Sequence, residues 1–154
     1  MRPPARSPAA RRTFSLALTA FLLAILLSVA AAPSPALAVT QPEQTLYSIV
    51  TGTRTARGLS PLPLSEDLSA VARKHSVRMA REGALFHTPC LTCRISGGSV
   101  LAENVGFGAT LRRIHRMMMG SAGHRANVLG AFNQVGVGVV QRGGRYWVTE
   151  IFVA

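Results

Sequence analysis

The stretch from residue 134 to the end of the chain places the tightest limit on the fold. Valine alternates with glycine from Val135 to Val139, the pair Gly143-Gly144 follows, and a run rich in β-branched and aromatic residues occupies 146–153. Alternation with a period of two around a glycine pair is typical of an antiparallel hairpin. The sequence therefore predicts two paired strands at the end of the chain.

The first 38 residues predict an export signal. Four arginines precede an apolar run over 14–32, and Ala36-Leu37-Ala38 has the small residues of a cleavage site. An uncleaved membrane anchor is the alternative, because the run is long for a signal. Two prolines just before the predicted cut favour cleavage, since they break a helix there. We expect residues 1–38 to be removed and residues 39–154 to form a secreted domain.

The charge of the predicted mature chain limits its partners. Residues 39–154 carry 13 basic and 6 acidic residues, a formal charge of +7. A small domain this basic favours anionic surroundings such as cell-wall polymers or lipid head groups. No nucleic-acid motif appears, so we expect no nucleic acid partner, and we expect a monomer. Arg11-Arg12 leaves a twin-arginine route open, although the leucine-rich core fits general secretion better.

Helical periodicity dominates the middle of the chain. Apolar residues recur at helical spacing after the predicted caps Thr40 and Ser65 and over about Thr110–Met119. A short strand is expected over 101–107. His75 lies on the apolar stripe of the second helix. We interpret it as a packed core histidine, because nothing acidic or sulfur-bearing flanks it.

The stretch Ser121-Ala122-Gly123-His124 presents one histidine at the start of a short helix. Ser121 is predicted to cap that helix with its side chain. His124 then lies near the positive end of the helix dipole, which disfavours its protonated form. A neutral imidazole can bind a metal or accept a proton, whereas the alternative is a surface histidine without a role.

Two further residues extend this histidine into a candidate site. His87, Glu103 and His124 together supply two imidazoles and a carboxylate, the ligands of an open zinc site completed by water. They belong to three separate elements, and we predict that they converge in one cleft. The alternative is a hydrogen-bonded cluster in which Glu103 accepts from a histidine N–H. No cofactor is required, and zinc or another divalent cation is the one expected if any binds.

Five short motifs follow one another in a characteristic order: Leu85-Phe86-His87, Glu103-Asn104-Val105, Ser121-Ala122-Gly123-His124-Arg125-Ala126-Asn127-Val128-Leu129, Val135-Gly136-Val137-Gly138 and Tyr146-Trp147-Val148-Thr149. As an ordered set over about residues 42–153, they resemble the CAP superfamily of cysteine-rich secretory proteins, venom allergens and pathogenesis-related proteins. The short bacterial exported branch is the more similar.

The resemblance implies a fold and a site. It implies an α+β fold, an α-β-α sandwich in which a small antiparallel sheet lies between helices. It also implies a cleft lined by His87, Glu103 and His124. Members of the family have been associated with divalent metal, with sterol or lipid binding, and with signalling or defence.

Cys90 and Cys93 lie three residues apart, just beyond His87. In an exported protein the first interpretation is a short-loop disulfide. A redox pair and a zinc clamp with His87 as third ligand are the alternatives. A disulfide would hold the segment that carries His87 beside the cleft wall.

These observations favour a binding module, an exported CAP-type domain whose His/Glu-lined cleft takes a divalent cation or a small apolar or anionic ligand, lipid included. One alternative is a metal-assisted hydrolase with Glu103 as general base and His124 or His87 as a ligand. Another is a basic cell-wall- or membrane-associated protein that acts through surface charge. No nucleophile motif stands beside a base, which favours binding over catalysis.

Overall fold

The computed structural model describes residues 38–95 and 101–154, so residues 1–37 of the predicted export signal lie outside them. The described elements are α1 (Gln41–Thr55), α2 (Glu66–Glu82), a 3-10 helix (Leu91–Cys93), β1 (Leu101–Gly108), α3 (Leu111–Gly120), α4 (Ala122–Leu129), β2 (Gln134–Arg142) and β3 (Arg145–Val153). None of these helices is long and apolar enough to cross a membrane.

The three strands form one antiparallel sheet in the order β1-β3-β2. The predicted hairpin is confirmed, with Val137 paired to Glu150 and the two strands joined at Gly143-Gly144. Helix α2 covers one face of the sheet, while α1, α3 and α4 lie against the other. The predicted α+β sandwich is therefore confirmed.

Helix α2 lies so close to β2 that only glycine fits beneath it. A Cβ atom on Gly138 would stand 2.1 Å from the carbonyl carbon of Ala72, and one on Gly136 would stand 2.3 Å from the Cβ of Leu68. The alternating valines face the other way and pack into the core shared with α1 and α3. Valine and glycine alternate because one face of β2 packs against the backbone of a helix and the other packs against apolar side chains.

Glu43 joins three elements at the start of α1. Its carboxylate accepts the Thr40 backbone N–H at 2.7 Å, which forms one side of a capping box at the predicted cap Thr40, and it pairs with Arg73 of α2 at 2.6 Å. It also accepts the Val139 N–H of β2 at 3.3 Å. Burial alone would raise the pKa of Glu43, but these hydrogen bonds outweigh burial and hold the pKa below its usual value.

The predicted side-chain cap is present at the start of α2 but not at the start of α4. The Ser65 hydroxyl accepts the Leu68 N–H at 3.3 Å, and Gly83 ends α2 in the left-handed region with φ 68°. The prediction that the Ser121 side chain caps α4 is wrong, because only its backbone oxygen takes part, accepting from Arg125 N–H at 2.9 Å. At the other end of α4, the buried Arg54 guanidinium donates to the carbonyl of Val128 at 2.8 Å.

Candidate functional site

The Glu103 carboxylate is the centre of the candidate site. It projects from β1 toward α2, and its side chain is only 5% exposed. One oxygen accepts from His87 Nδ1 and from the Thr88 backbone N–H, each at 2.8 Å, while the other accepts from the Thr88 hydroxyl. The carboxylate therefore ties the segment that follows α2 to the edge strand of the sheet.

This pairing orients His87. A carboxylate only accepts hydrogen bonds, so Nδ1 is the nitrogen that donates to Glu103, and Nε2 takes no part in the pair. The His87 side chain is 64% exposed, which leaves Nε2 open to a ligand or a proton. Two of the three predicted site residues, His87 and Glu103, thus meet as expected from the sequence.

His75 belongs to the same cluster, which the sequence did not indicate. Its burial within α2 confirms a packed core histidine. No acidic residue flanks His75 along the chain, but β1 brings the Glu103 carboxylate to 3.7 Å from Nδ1. Thr149 Oγ1 of β3 lies 3.2 Å from the same nitrogen. The Nε2 atom is buried and has no hydrogen-bond partner among the described residues.

The charge state of His75 follows from its surroundings. Burial lowers the pKa of His75, Glu103 raises it, and the nearby cations Arg78 and Arg94, together with His87, lower it again. The net effect is a pKa below the usual histidine value. His75 is therefore neutral at pH 7, while the cavity wall above it is positively charged.

His124 does not join this cluster. Neighbouring residues of a strand point to opposite faces, so Glu103 faces α2 while Asn104 faces α4, where its amide donates to the His124 carbonyl at 3.1 Å. The His124 side chain lines a separate cavity of about 250 Å³ beside Leu85 and Met117. The predicted convergence of three ligands is therefore replaced by a pair.

A resident metal does not fit the donors that the structure provides. Across residues 38–95 and 101–154, no three His, Cys, Asp or Glu side chains are arranged to hold an ion. Thr88 and His87 already occupy the oxygens of Glu103. The observed arrangement matches the alternative raised from the sequence, a cluster in which Glu103 accepts from a histidine N–H.

Two asparagines and a buried acid form a network that sequence reasoning missed. Asn104 donates to Glu150 Oε2 at 3.0 Å, and Asn127 of α4 donates to Asn104 Oδ1 at 2.9 Å. Burial raises the pKa of Glu150 to about 7, although the bond from Asn104 lowers it in part. Asn104 and Asn127 belong to the same sequence motifs as Glu103 and His124. The motifs therefore contained these residues, but the functional role was predicted for their neighbours.

A cavity of about 330 Å³ lies between α2 and the segment 88–94. Lys74, His75, Arg78 and Arg94 line it together with Thr88 and Cys93. None of the six acidic residues of the chain is among its lining residues. The cavity is therefore positively charged and lies directly beside the Glu103 cluster.

The predicted disulfide closes one wall of this cavity. Cys90 and Cys93 are bonded to each other, with their Cα atoms 5.2 Å apart. The bridge spans the 3-10 turn between Thr88, which binds Glu103, and Arg94, which lines the cavity. It thus restrains the wall segment, as expected from its place in the sequence.

The family model of the cysteine-rich secretory proteins, CAP, matches residues 47–153. The chain belongs to the CAP family. This CAP domain has the fold of an outer surface protein from Borrelia burgdorferi, with a TM-score of 0.67 and 15% identity over 74% of this chain and 92% of that protein.

Two further solved structures share the CAP fold. An extracellular protein containing a SCP domain from Bacillus anthracis has a TM-score of 0.64 and 23% identity over 73% of this chain. A cysteine-rich secretory protein from Staphylococcus aureus has a TM-score of 0.60 and 23% identity over 75% of this chain. The chain spans only 40% of each of those two proteins. No curated protein matches it.

Proposed function

We propose that this CAP domain is an exported binding module whose cleft holds a small ligand with an anionic group. The observation that carries the proposal is the 330 Å³ cavity beside Glu103, which is lined by three cationic side chains and no acid. A concave site with a few convergent polar groups is the usual form of a small-ligand site. The cleft is defined here by Lys74, His75, Arg78, Thr88 and Arg94.

The cations of the cleft are only partly neutralised. Arg78 pairs with Glu82 at 2.8 Å on an exposed helix face and lies 4.8 Å above the Phe86 ring. Neither Lys74 nor Arg94 has a carboxylate within ion-pair distance among the described residues. An anion in the cleft would gain from all three charges, because a partly enclosed cavity screens them less than open water does.

An anion and a metal ion predict opposite effects of pH. An anion beside His75 favours the protonated ring and so opposes the effect of burial, and its affinity therefore rises as pH falls. A metal ion needs neutral imidazole, so its affinity falls below about pH 6. The sign of the pH dependence thus separates two ligand classes that the sequence alone left open.

The test uses citrate and zinc chloride as separate probes of the protein expressed from the full-length sequence. Each probe is titrated at about pH 5.5 and about pH 7.5, with binding heat and the ring resonances of His75 as readouts. The double variant Arg78→Gln/Arg94→Gln is compared with Arg81→Gln/Arg142→Gln, which removes the same charge at exposed positions outside the cleft.

The proposal predicts that citrate, compared at equal concentrations of its fully ionised form, binds more tightly at the lower pH and moves the His75 resonances. Affinity should fall about tenfold or more in the cleft variant and stay within about twofold in the control, because a charge-assisted bond is lost only in the former. Equal loss in both double variants would overturn the proposal. Zinc binding that weakens with acid, without citrate binding, would replace it with the metal hypothesis.

The Glu103–His87 pair supports one enzymatic alternative. The oxygens of Glu103 are occupied, so the group that the pair offers to a substrate is His87 Nε2. A hydrolase would then use His87 as the base, with Glu103 positioning it. Glu103→Gln separates the functions: catalysis should fall by about two orders of magnitude or more, whereas citrate affinity should change only modestly.

Export of the protein is part of the proposal. The predicted signal over residues 1–38 is its sequence basis. The proteins of similar fold support it, since they are described as an outer surface protein, an extracellular protein and a cysteine-rich secretory protein. A Cys90–Cys93 disulfide also suits an oxidising compartment.

A further inference from the structure

A second basic cavity lies on the other side of the sheet from the cleft. Helices α1 and α3 form the sides of this cavity of about 560 Å³, which we call the α1–α3 groove. Three arginines line it: Arg57, just after the end of α1, and Arg112 and Arg116 from α3. No acidic residue is among its lining residues.

These arginines lack charged partners in the part of the chain that the structure describes. Arg57 donates to the Thr53 carbonyl in the last turn of α1, 2.9 Å away, but no carboxylate lies within ion-pair distance of Arg57, Arg112 or Arg116. Arg112 and Arg116 stand one turn apart on α3, where like charges repel and oppose helix formation. A bound anion would relieve this repulsion.

A buried histidine forms part of the groove floor. His115 of α3 is 6% exposed, and its Nε2 lies 2.7 Å from the Thr53 hydroxyl, while Nδ1 has no hydrogen-bond partner among the described residues. Burial lowers the pKa of His115, and the charge of Arg57 lowers it further. The ring is therefore neutral at pH 7, and its pKa responds to the positive charge around it.

We infer that the α1–α3 groove binds a phosphate ester. Guanidinium groups present planar pairs of donors that match phosphate oxygens, and a phosphate offers enough oxygens to engage more than one arginine. The cavity is larger than the ion alone, and Ile49 and Met119 give it apolar walls, which suits a phosphate that carries an organic group. Both a lipid head group and a soluble phosphate ester have this chemistry.

The experiment uses the protein expressed from the full-length sequence and two probes. One is glycerol phosphate; the other is vesicles of phosphatidylcholine with and without phosphatidylglycerol. The double variant Arg112→Gln/Arg116→Gln is compared with Arg113→Gln/Arg142→Gln, which removes the same charge outside the groove. Thermal unfolding of each variant confirms that it folds, and the His115 ring resonances report occupancy of the groove.

The inference predicts about tenfold or more loss of affinity in the groove variant and a change within about twofold in its control. An anion in the groove should also raise the pKa of His115, because it offsets the charge of Arg57. Glycerol phosphate binding would identify a soluble ester as sufficient. Binding to anionic vesicles alone, lost in the groove variant, would identify a lipid head group; both results support the inference.

Three results would overturn it: no binding of either probe, equal loss in the two double variants, or binding that leaves His115 unchanged. The cleft variant Arg78→Gln/Arg94→Gln provides an independent check. It should leave glycerol phosphate binding to the groove within about twofold, because its arginines lie against α2 on the other face of the sheet. Failure of the cleft proposal and failure of this inference are therefore distinguishable.

Discussion

The side-chain amide of Asn104 lies 3.0 Å from a carboxylate oxygen of Glu150, directly across the β1–β3 pair. The other oxygen of Glu150 is buried without a partner among the described residues. Asn104 in turn contacts Asn127 and the carbonyl of His124, so one asparagine connects the buried acid to α4. Asn104 and Glu150 thus help to position α4, the helix that carries His124.

Glu150→Gln should remove a decline of stability with pH. Burial raises the pKa of Glu150 to about 7 from an ordinary value of 4.5, so the folded protein keeps a proton that the unfolded chain releases between these values. The contribution of Glu150 to stability is fully present below about pH 4.5 and is lost as pH rises to about 7, by about 2 to 3 kcal/mol. His75 and His115, whose pKa values are lowered, contribute in the opposite sense in both proteins, so the difference between wild type and Glu150→Gln is the quantity to measure. Urea unfolding across this range measures it.

The control for that change is Glu66→Gln at the exposed start of α2. It should keep the wild-type pH profile of stability between about pH 4.5 and about pH 7, whereas Glu150→Gln should lose the declining contribution of Glu150, since glutamine has no proton to lose. A wild-type pH profile in Glu150→Gln would contradict the assigned role of Glu150.

Glu103→Ala should release the segment that follows α2. The substitution removes the acceptor of the Thr88 N–H and of His87 Nδ1. Amide hydrogen exchange at Thr88 should accelerate roughly tenfold or more, because its N–H loses the hydrogen bond that protects it from solvent. Glu82→Ala is the control: its ion pair with Arg78 is half exposed, so the variant should change stability by about 0.5 kcal/mol or less. Unchanged exchange at Thr88 would contradict the assigned bond.

Gly138→Ala should destabilise the fold, whereas Gly52→Ala should not. A methyl group at residue 138 would meet the backbone of Ala72 at 2.1 Å, so α2 must move, at a cost of about 3 kcal/mol. A methyl group at residue 52 meets nothing within 4 Å inside α1, and alanine should stabilise that helix by up to about 1 kcal/mol. Thermal unfolding of the two variants checks the pair, and equal midpoints would contradict it.

Export should release a chain that begins at Val39. The apolar run and the Ala36-Leu37-Ala38 sequence motivate this prediction, which lies largely outside the described residues. The intact mass of protein recovered from the medium is the measurement. A full-length product retained in the membrane fraction would support the anchor alternative instead.

Local patterns in the sequence predicted most of the fold. A period of two and a glycine pair indicated the terminal hairpin, and capping residues with helical spacing indicated the helices, because hydrogen bonds within a helix and across a tight turn join residues that are near in sequence. The ordered motifs indicated the CAP family. The side-chain cap predicted at Ser121 does not form, so a residue type that suits a cap was not enough to predict the hydrogen bond.

Only the tertiary structure decided which polar groups meet. The alternation of β1 sends Glu103 toward α2 and Asn104 toward α4, so His75 joins the cluster while His124 does not. The packing of α1 beside α3 likewise assembles a basic groove from arginines distant in sequence. Sequence periodicity by itself determined which residues form helices and strands, but the sheet determined which faces oppose each other, since that depends on contacts between distant parts of the chain.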